Sequence, residues 1–247
     1  MSEPARILYG VASPNVVKVA IMLEELGLDY ALRYVAVFQG EQFSPEFQAM
    51  NPLGKVPVLV DPALPAPIFE SGAILIWLAE QHRRFLPEHG PARIEVLQWL
   101  MVQMASIGPM LGQYTHFRLL PESGETYARG RYGAIAESLY RAIDRRLEAR
   151  EWLAGEDCSI ADIATLPWAE YIDRHEFDRA QFPHMERWRA AMNARPAVAR
   201  AKARVFGEFA SPSQSSIAAA TPDDLDRFFS RTEKVSEQDY SGVKRMR

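Results

Sequence analysis

The chain has 247 residues, 48% hydrophobic and 24% charged, enough for one large soluble domain or two modest ones. A formal net charge of -4 argues against a nucleic-acid partner, and a single cysteine excludes an internal disulfide and any cysteine-based zinc site. There is no basic leader before an apolar stretch, and runs such as "GAILIWLA" fall short of the ~20 residues of a membrane helix. The expectation is a soluble, cytoplasmic protein without nucleic-acid or membrane partners.

From Arg6 to about His82, strand-like and helix-like runs alternate. "RILY" is a short apolar run. A helix follows with Ser13 as N-cap and Pro14 in its first position, carrying Val16, Val17, Val19, Ala20, Leu23 and Leu26, and Gly27 is placed to end it. "YALRYVAV" alternates like a half-buried strand, and "SPEFQAM" is a short turn of helix opened by Ser44 and Pro45. "VPVLVD" and "APIFE" are two short strands, and "SGAILIWLAEQH" returns to helical spacing with Ile74, Leu75 and Leu78 on one face.

Beyond the polar link at residues 83–91 the strand signals stop. Helices are predicted from Arg93 to about Phe117 and from Thr126 to Arg150. Another begins at "CSIADI", where Ser159 and Asp162 form a capping box, and two more are divided at Pro196. The pattern predicts an α/β unit over residues 1–84, an all-helical unit over 91–207 and an extension over 208–247. Small and polar residues dominate that extension, which points to partial disorder. Within it "TPDDLDRFF" has a helix start at Thr221–Pro222 and apolar residues Leu225, Phe228 and Phe229 with which to dock. A docked helix and a mobile tail both remain open.

Three short stretches could carry chemistry. "GVASPNVVK" places Ser13 and Asn15 at the start of the first helix, where a hydroxyl or amide can either cap the helix or face a reactive group. In "NPLGKVPVLVD", Pro57 cannot donate to a sheet ladder and so belongs at a strand's beginning; spacing alone favours an ordinary trans bond before it. In "FESGA", a strand passes into a helix at Glu70 and Ser71. The helix N-terminus there suits a carboxylate while Glu70 suits an ammonium group, although plain capping explains the same residues. Cys158 reads as a packing residue, the five histidines lack metal-ligand spacing, and "MVQMASIGPML" reads as helix packing.

In this order and spacing, "NPLGKVPVLVD", "ESGAILIWLAE" and the "SIADI" box resemble the glutathione transferase superfamily over about residues 6–207. "LDYALRYVAVFQGEQFSPEFQAMNP" and "GPMLGQ" are similar to its bacterial nu class and the related fungal nitrogen regulator. The resemblance implies a thioredoxin-like N-terminal domain, an all-α C-terminal domain and a homodimer. It further implies a disulfide-bond reductase with modest transferase activity that uses glutathione, reduced or oxidised, and no metal. Ser13 and Asn15 would then face the glutathione sulfur, and Val56, before a cis Pro57, would pair with its cysteinyl backbone. Glu70 and Ser71 would hold the γ-glutamyl end, Lys55 and Gln42 would lie near the glycyl or second-glutathione side, and Arg131 would reach the ligand from the same or the neighbouring subunit. His116 reads either as a plain helix-face residue or, with Tyr114 and Phe117, as part of the electrophile pocket. Glutathione-dependent ether or halide cleavage, and a non-catalytic binding or regulatory module, are the competing expectations.

The physics of Ser13 and Asn15 supports such a role. A thiol of pKa about 8.5 is mostly protonated at neutral pH, and a helix N-terminus with a hydrogen-bond donor stabilises its thiolate. The reactive sulfur is then the ligand's, and no protein cysteine is needed.

Overall fold

The computed structural model describes residues 6–119 and 126–230. The N-terminal part contains strand β1 (Ile7–Gly10), helix α1 (Pro14–Leu26), β2 (Ala31–Tyr34), α2 (Pro45–Met50), β3 (Val58–Val60), β4 (Ile68–Phe69) and α3 (Ser71–His82). The four strands form one sheet in the order β2-β1-β3-β4. β1 runs parallel to β2 and antiparallel to β3, which is antiparallel to β4. The parallel β1–β2 pair needs a crossover, and α1 provides it. Ser13 is the N-cap in extended conformation, Pro14 opens α1, and Gly27 closes it in the left-handed region at φ 67°.

The helical part follows as α4 (Gly90–Val102), a π turn (Gln103–Ile107), α5 (Gly108–Leu119), α6 (Thr126–Leu147), α7 (Ile160–Ala169), α8 (Ile172–His175), α9 (Pro183–Asn193) and α10 (Pro196–Ala219). A last helix, α11, spans Pro222–Phe228. The run Gly90–Arg118 is long and apolar enough by length and composition to cross a membrane, more than the sequence reading allowed. Within the fold it packs against α6 and α7.

One apolar core crosses the boundary between the two parts. Val16, Val19, Ala20 and Leu23 of α1 are fully buried in the same cluster as Ile160, Ile163 and Ala164 of α7 and Val198, Ala201 and Val205 of α10. A bidentate pair, Arg195 Nε and Nη2 to Glu25 Oε1 and Oε2 at 2.5 and 3.0 Å, ties the end of α1 to the start of α10. The Ser159–Asp162 capping box forms, and Asp162 does more than cap. Its carboxylate accepts from the backbone N–H groups of Leu153 (2.8 Å) and Ser159 (3.0 Å) and from the Trp188 indole (2.9 Å) while fully buried.

Residues 208–219, expected to begin a polar extension, instead continue α10. Ala201, Val205, Phe209 and Ser216 make the buried stripe; the first half of α10 lies on α1, and beyond it Phe209 meets Tyr34 of β2 and Ile217 packs on the second core. The docked form of "TPDDLDRFF" is the observed one. Thr221 and Asp224 cap α11, and Leu225 is buried with Val35, Val37, Phe38 and Phe47 in a second core. Residues 231–247 lie outside the described part.

Candidate active site between the sheet domain and the helices

A cavity of about 690 Å³ lies where α1, the loop before β3, the start of α3, the π turn, α5, α7 and the end of α11 meet. Its walls include Asn15, Lys18, Lys55 and Glu70 from the sheet domain, and Gln103, Met104, His116 and Trp168 from the helices. Phe228 at the end of α11, with Phe229 and Ser230 just beyond it, completes the cavity.

Each side chain has a local cause for its position. Asn15 lies in the first turn of α1, and its Oδ1 accepts from the Trp168 indole N–H at 3.0 Å. An indole N–H only donates, so the amide oxygen must face Trp168 and the amide NH₂ is left to offer to the cavity. Asn51 organises the loop that carries Lys55: its Nδ2 donates to the Lys55 carbonyl at 2.7 Å, and its Oδ1 accepts from Leu53 N–H at 3.0 Å. The Val56–Pro57 bond that follows is cis, where spacing alone favoured trans. Glu70 is the N-cap of α3 at φ 66°, a left-handed conformation that costs a non-glycine residue about 1–3 kcal/mol and is typical of constrained functional positions.

The structure brings Asn15, Lys55, Glu70 and His116 together, but not every expected residue joins them. Ser13 borders a separate cavity of about 160 Å³ with Tyr171, Arg174 and Phe206, and its side chain makes no capping hydrogen bond. Ser71 is buried at the start of α3 with its Oγ 3.8 Å from Met104 Sδ. Gln42 is buried against Gly54, outside the cavity lining. Arg131 is exposed on α6 and does not line the cavity.

Tyr114 and Phe117 are corrections to the expected pocket. At 100° per residue, the cavity face of α5 carries Gly108, Pro109, Gly112, Gln113 and His116, and Tyr114 and Phe117 point elsewhere. Tyr114 packs on His175 at 4.7 Å between ring centres, and Phe117 stacks on Tyr132 at 5.3 Å. His116 instead meets Phe229, just past α11, at 5.0 Å between ring centres.

Among the wall residues missed in the sequence are Lys18, Gln103, Met104 and Trp168. Lys18 left a signal, a lone cation in the apolar run "NVVKVAIML", three residues after Asn15 and so on the same helix face. Its Nζ donates to Gln103 Oε1 at 2.8 Å, with Met104 Sδ at 3.4 Å. Burial pulls the Lys18 pKa down to about 7, opposed in part by the charge of Glu70. Cys158 lies in another place, near Met192, and burial pushes its thiol far above the ordinary range. Among the described residues no cluster of His, Cys, Asp and Glu has the geometry of a metal site.

Residues 12–81 match the glutathione S-transferase N-terminal domain, and residues 107–196 match the glutathione S-transferase C-terminal domain. The disulfide-bond oxidoreductase YfcG of Escherichia coli is 42% identical over 199 residues, covering 78% of this chain and 93% of YfcG. The chain belongs to the glutathione S-transferase family. A glutathione transferase from Pseudomonas putida, solved with one glutathione disulfide bound per subunit, superposes with a TM-score of 0.75 at 39% identity. The match covers 81% of this chain and 91% of that one. Ure2p in complex with glutathione gives a TM-score of 0.76 at 31% identity, covering 81% of this chain and all of that one. The transferase fold expected from the sequence is the one observed. Helix α11, which closes the cavity, lies beyond the residues matched to either family domain.

Proposed function

We propose that this transferase is a glutathione-dependent disulfide-bond oxidoreductase with modest transferase activity, of the nu class, acting as a cytoplasmic homodimer. The observation that carries the reading is Asn15: its amide, locked by Trp168, presents its NH₂ from the first turn of α1 into a cavity that also holds Lys55 and Glu70. A thiolate placed there gains a directed donor and the positive end of a helix. With Cys158 half-buried away from this cavity and its thiol pKa pushed up, the sulfur is supplied by glutathione.

In this reading Glu70 takes the γ-glutamyl ammonium group, and Ser71, at the start of α3, takes its carboxylate. Val56 pairs with the cysteinyl backbone, and Lys55 attracts the glycyl carboxylate. Gln42 and Ser13 support these contacts from behind the walls, and Arg131 serves a ligand from the neighbouring subunit. His116, Trp168, Phe228 and Phe229 form the side on which the second substrate sits. The thiolate attacks one sulfur of the substrate disulfide, forming a mixed disulfide and expelling a thiolate. A second glutathione thiolate then attacks the mixed disulfide, releasing oxidised glutathione and the second thiol after protonation. The relative from Pseudomonas putida, with glutathione disulfide in its site, supports a pocket large enough for that product. The homodimer is supported by exposed Ile94, Met101 and Val102, which share one face of α4.

The test is turnover of 2-hydroxyethyl disulfide with glutathione and a coupled reductase. Saturable turnover is expected; absence of turnover with glutathione demonstrably bound would leave the non-catalytic module as the better reading.

A further inference from the structure

Lys18 is an expensive residue to place where it is. It is fully buried in α1, and lysines are almost never fully buried unless paired. Its ammonium has three donors, but the two partners it finds, Gln103 Oε1 and Met104 Sδ, are both neutral. Among the described residues no carboxylate forms an ion pair with it; Glu70 acts on it only through its charge. A tie between two domains would be made at lower cost by two apolar side chains.

The surroundings are arranged for this cation. Gln103 and Met104 open the π turn that joins α4 to α5, and such one-turn widenings re-aim side chains and recur at functional sites. Gly108 closes that turn, and a Cβ there would stand 2.8 Å from Gln103 Nε2, so glycine is what allows Gln103 to lie against Lys18. Lys18, Gln103 and Met104 all reach the cavity wall, on the same helix face as Asn15.

We propose that Lys18 is the counter-charge for the glutathione thiolate, a positioning residue that acts from the cavity floor behind Asn15. The proposal rests on glutathione occupying this cavity. A buried ammonium with only neutral partners lacks an anion, and a thiolate at Asn15 supplies one, so each charge makes the other easier to form. The other ionisable side chains that face the cavity are Glu70 at the start of α3, Lys55 before β3 and His116 on α5. Glu70 favours the ammonium form and burial opposes it, which leaves Lys18 able to respond to an arriving anion near neutral pH.

The test compares wild type with Lys18→Met by the ultraviolet absorbance of bound thiolate as a function of pH. A parallel titration uses S-methylglutathione, which keeps both carboxylates but has no ionisable sulfur. The substitution is expected to raise the bound-thiol pKa by about one unit, a tenfold shift in the thiol–thiolate equilibrium. S-methylglutathione affinity should stay within about threefold of wild type, which also shows that the pocket is folded. Gln103→Leu, which keeps the lysine but removes its acceptor, should shift the thiol the same way by less. An unchanged thiol pKa in either folded variant overturns the proposal. So does a parallel loss of S-methylglutathione in a folded Lys18→Met protein, which would assign Lys18 to a carboxylate. Failure of the wild type to bind either ligand would instead overturn the functional reading on which the proposal rests.

Discussion

Asn15 has two separable jobs, and two substitutions pull them apart. Its oxygen accepts from Trp168 at 3.0 Å, and its NH₂ faces the cavity. Asn15→Ala removes both. The Trp168 indole N–H, in a residue only 8% exposed, then loses its acceptor, at about 1–2 kcal/mol of stability. Asn15→Asp keeps an acceptor of the same shape for Trp168, so stability should stay within about 1 kcal/mol of wild type. In place of a donor, however, it puts a carboxylate beside the thiolate. At ~4 Å and an effective dielectric near 20, two like charges repel by about 4 kcal/mol, enough to raise the thiol pKa by as much as about three. Water in the open cavity reduces this, so turnover of 2-hydroxyethyl disulfide should fall about a hundredfold in Asn15→Asp and about tenfold or more in Asn15→Ala. Urea denaturation gives the stability half of the comparison. Asn15→Asp with near wild-type turnover would refute the assignment of the amide to the thiolate.

Two further predictions concern the scaffold. Asp162→Ala should cost about 3–5 kcal/mol by urea midpoint at unchanged slope, because the Leu153, Ser159 and Trp188 donors are left buried without an acceptor. Acid should destabilise the helical domain through His175. Thr115 Oγ1 spends its proton on the Leu111 carbonyl, so it accepts from His175 Nε2–H at 2.9 Å and Tyr140 donates to Nδ1 at 2.8 Å. Burial first, then Arg118 and Arg174, lower the folded pKa to about 4 from 6.5. The unfolded chain therefore binds more protons between those values, and stability falls as pH drops through that window, by about 3 kcal/mol in all. His175→Gln should flatten this part of a stability-versus-pH curve; an unchanged slope would place the acid sensitivity elsewhere.

The sequence was most legible where local chemistry decides the structure. Ser13–Pro14 and Gly27 bracket α1, and the Ser159–Asp162 box starts α7, because caps and turn residues act within a few positions. It was least legible where tertiary packing decides. The π turn over Gln103–Ile107 has no local marker, so the expected straight helix missed how Gln103 and Met104 reach Lys18. The "FASPSQSSIAA" stretch reads as a polar tail, and it became helical where Phe209 meets Tyr34 of β2 and Ile217 packs on the second core. Tyr114 and Phe117 were grouped with His116 by adjacency, whereas helical rotation separates them. Lys18 was readable in principle, since a cation on an apolar helix face needs a reason.

The central claim is that the reactive sulfur belongs to the ligand. Cys158→Ala tests it most directly, because Cys158 is the chain's one cysteine and sits away from the cavity. The account predicts glutathione-dependent turnover of 2-hydroxyethyl disulfide at the wild-type rate in this variant. Loss of turnover in a folded Cys158→Ala protein that still binds glutathione would contradict it.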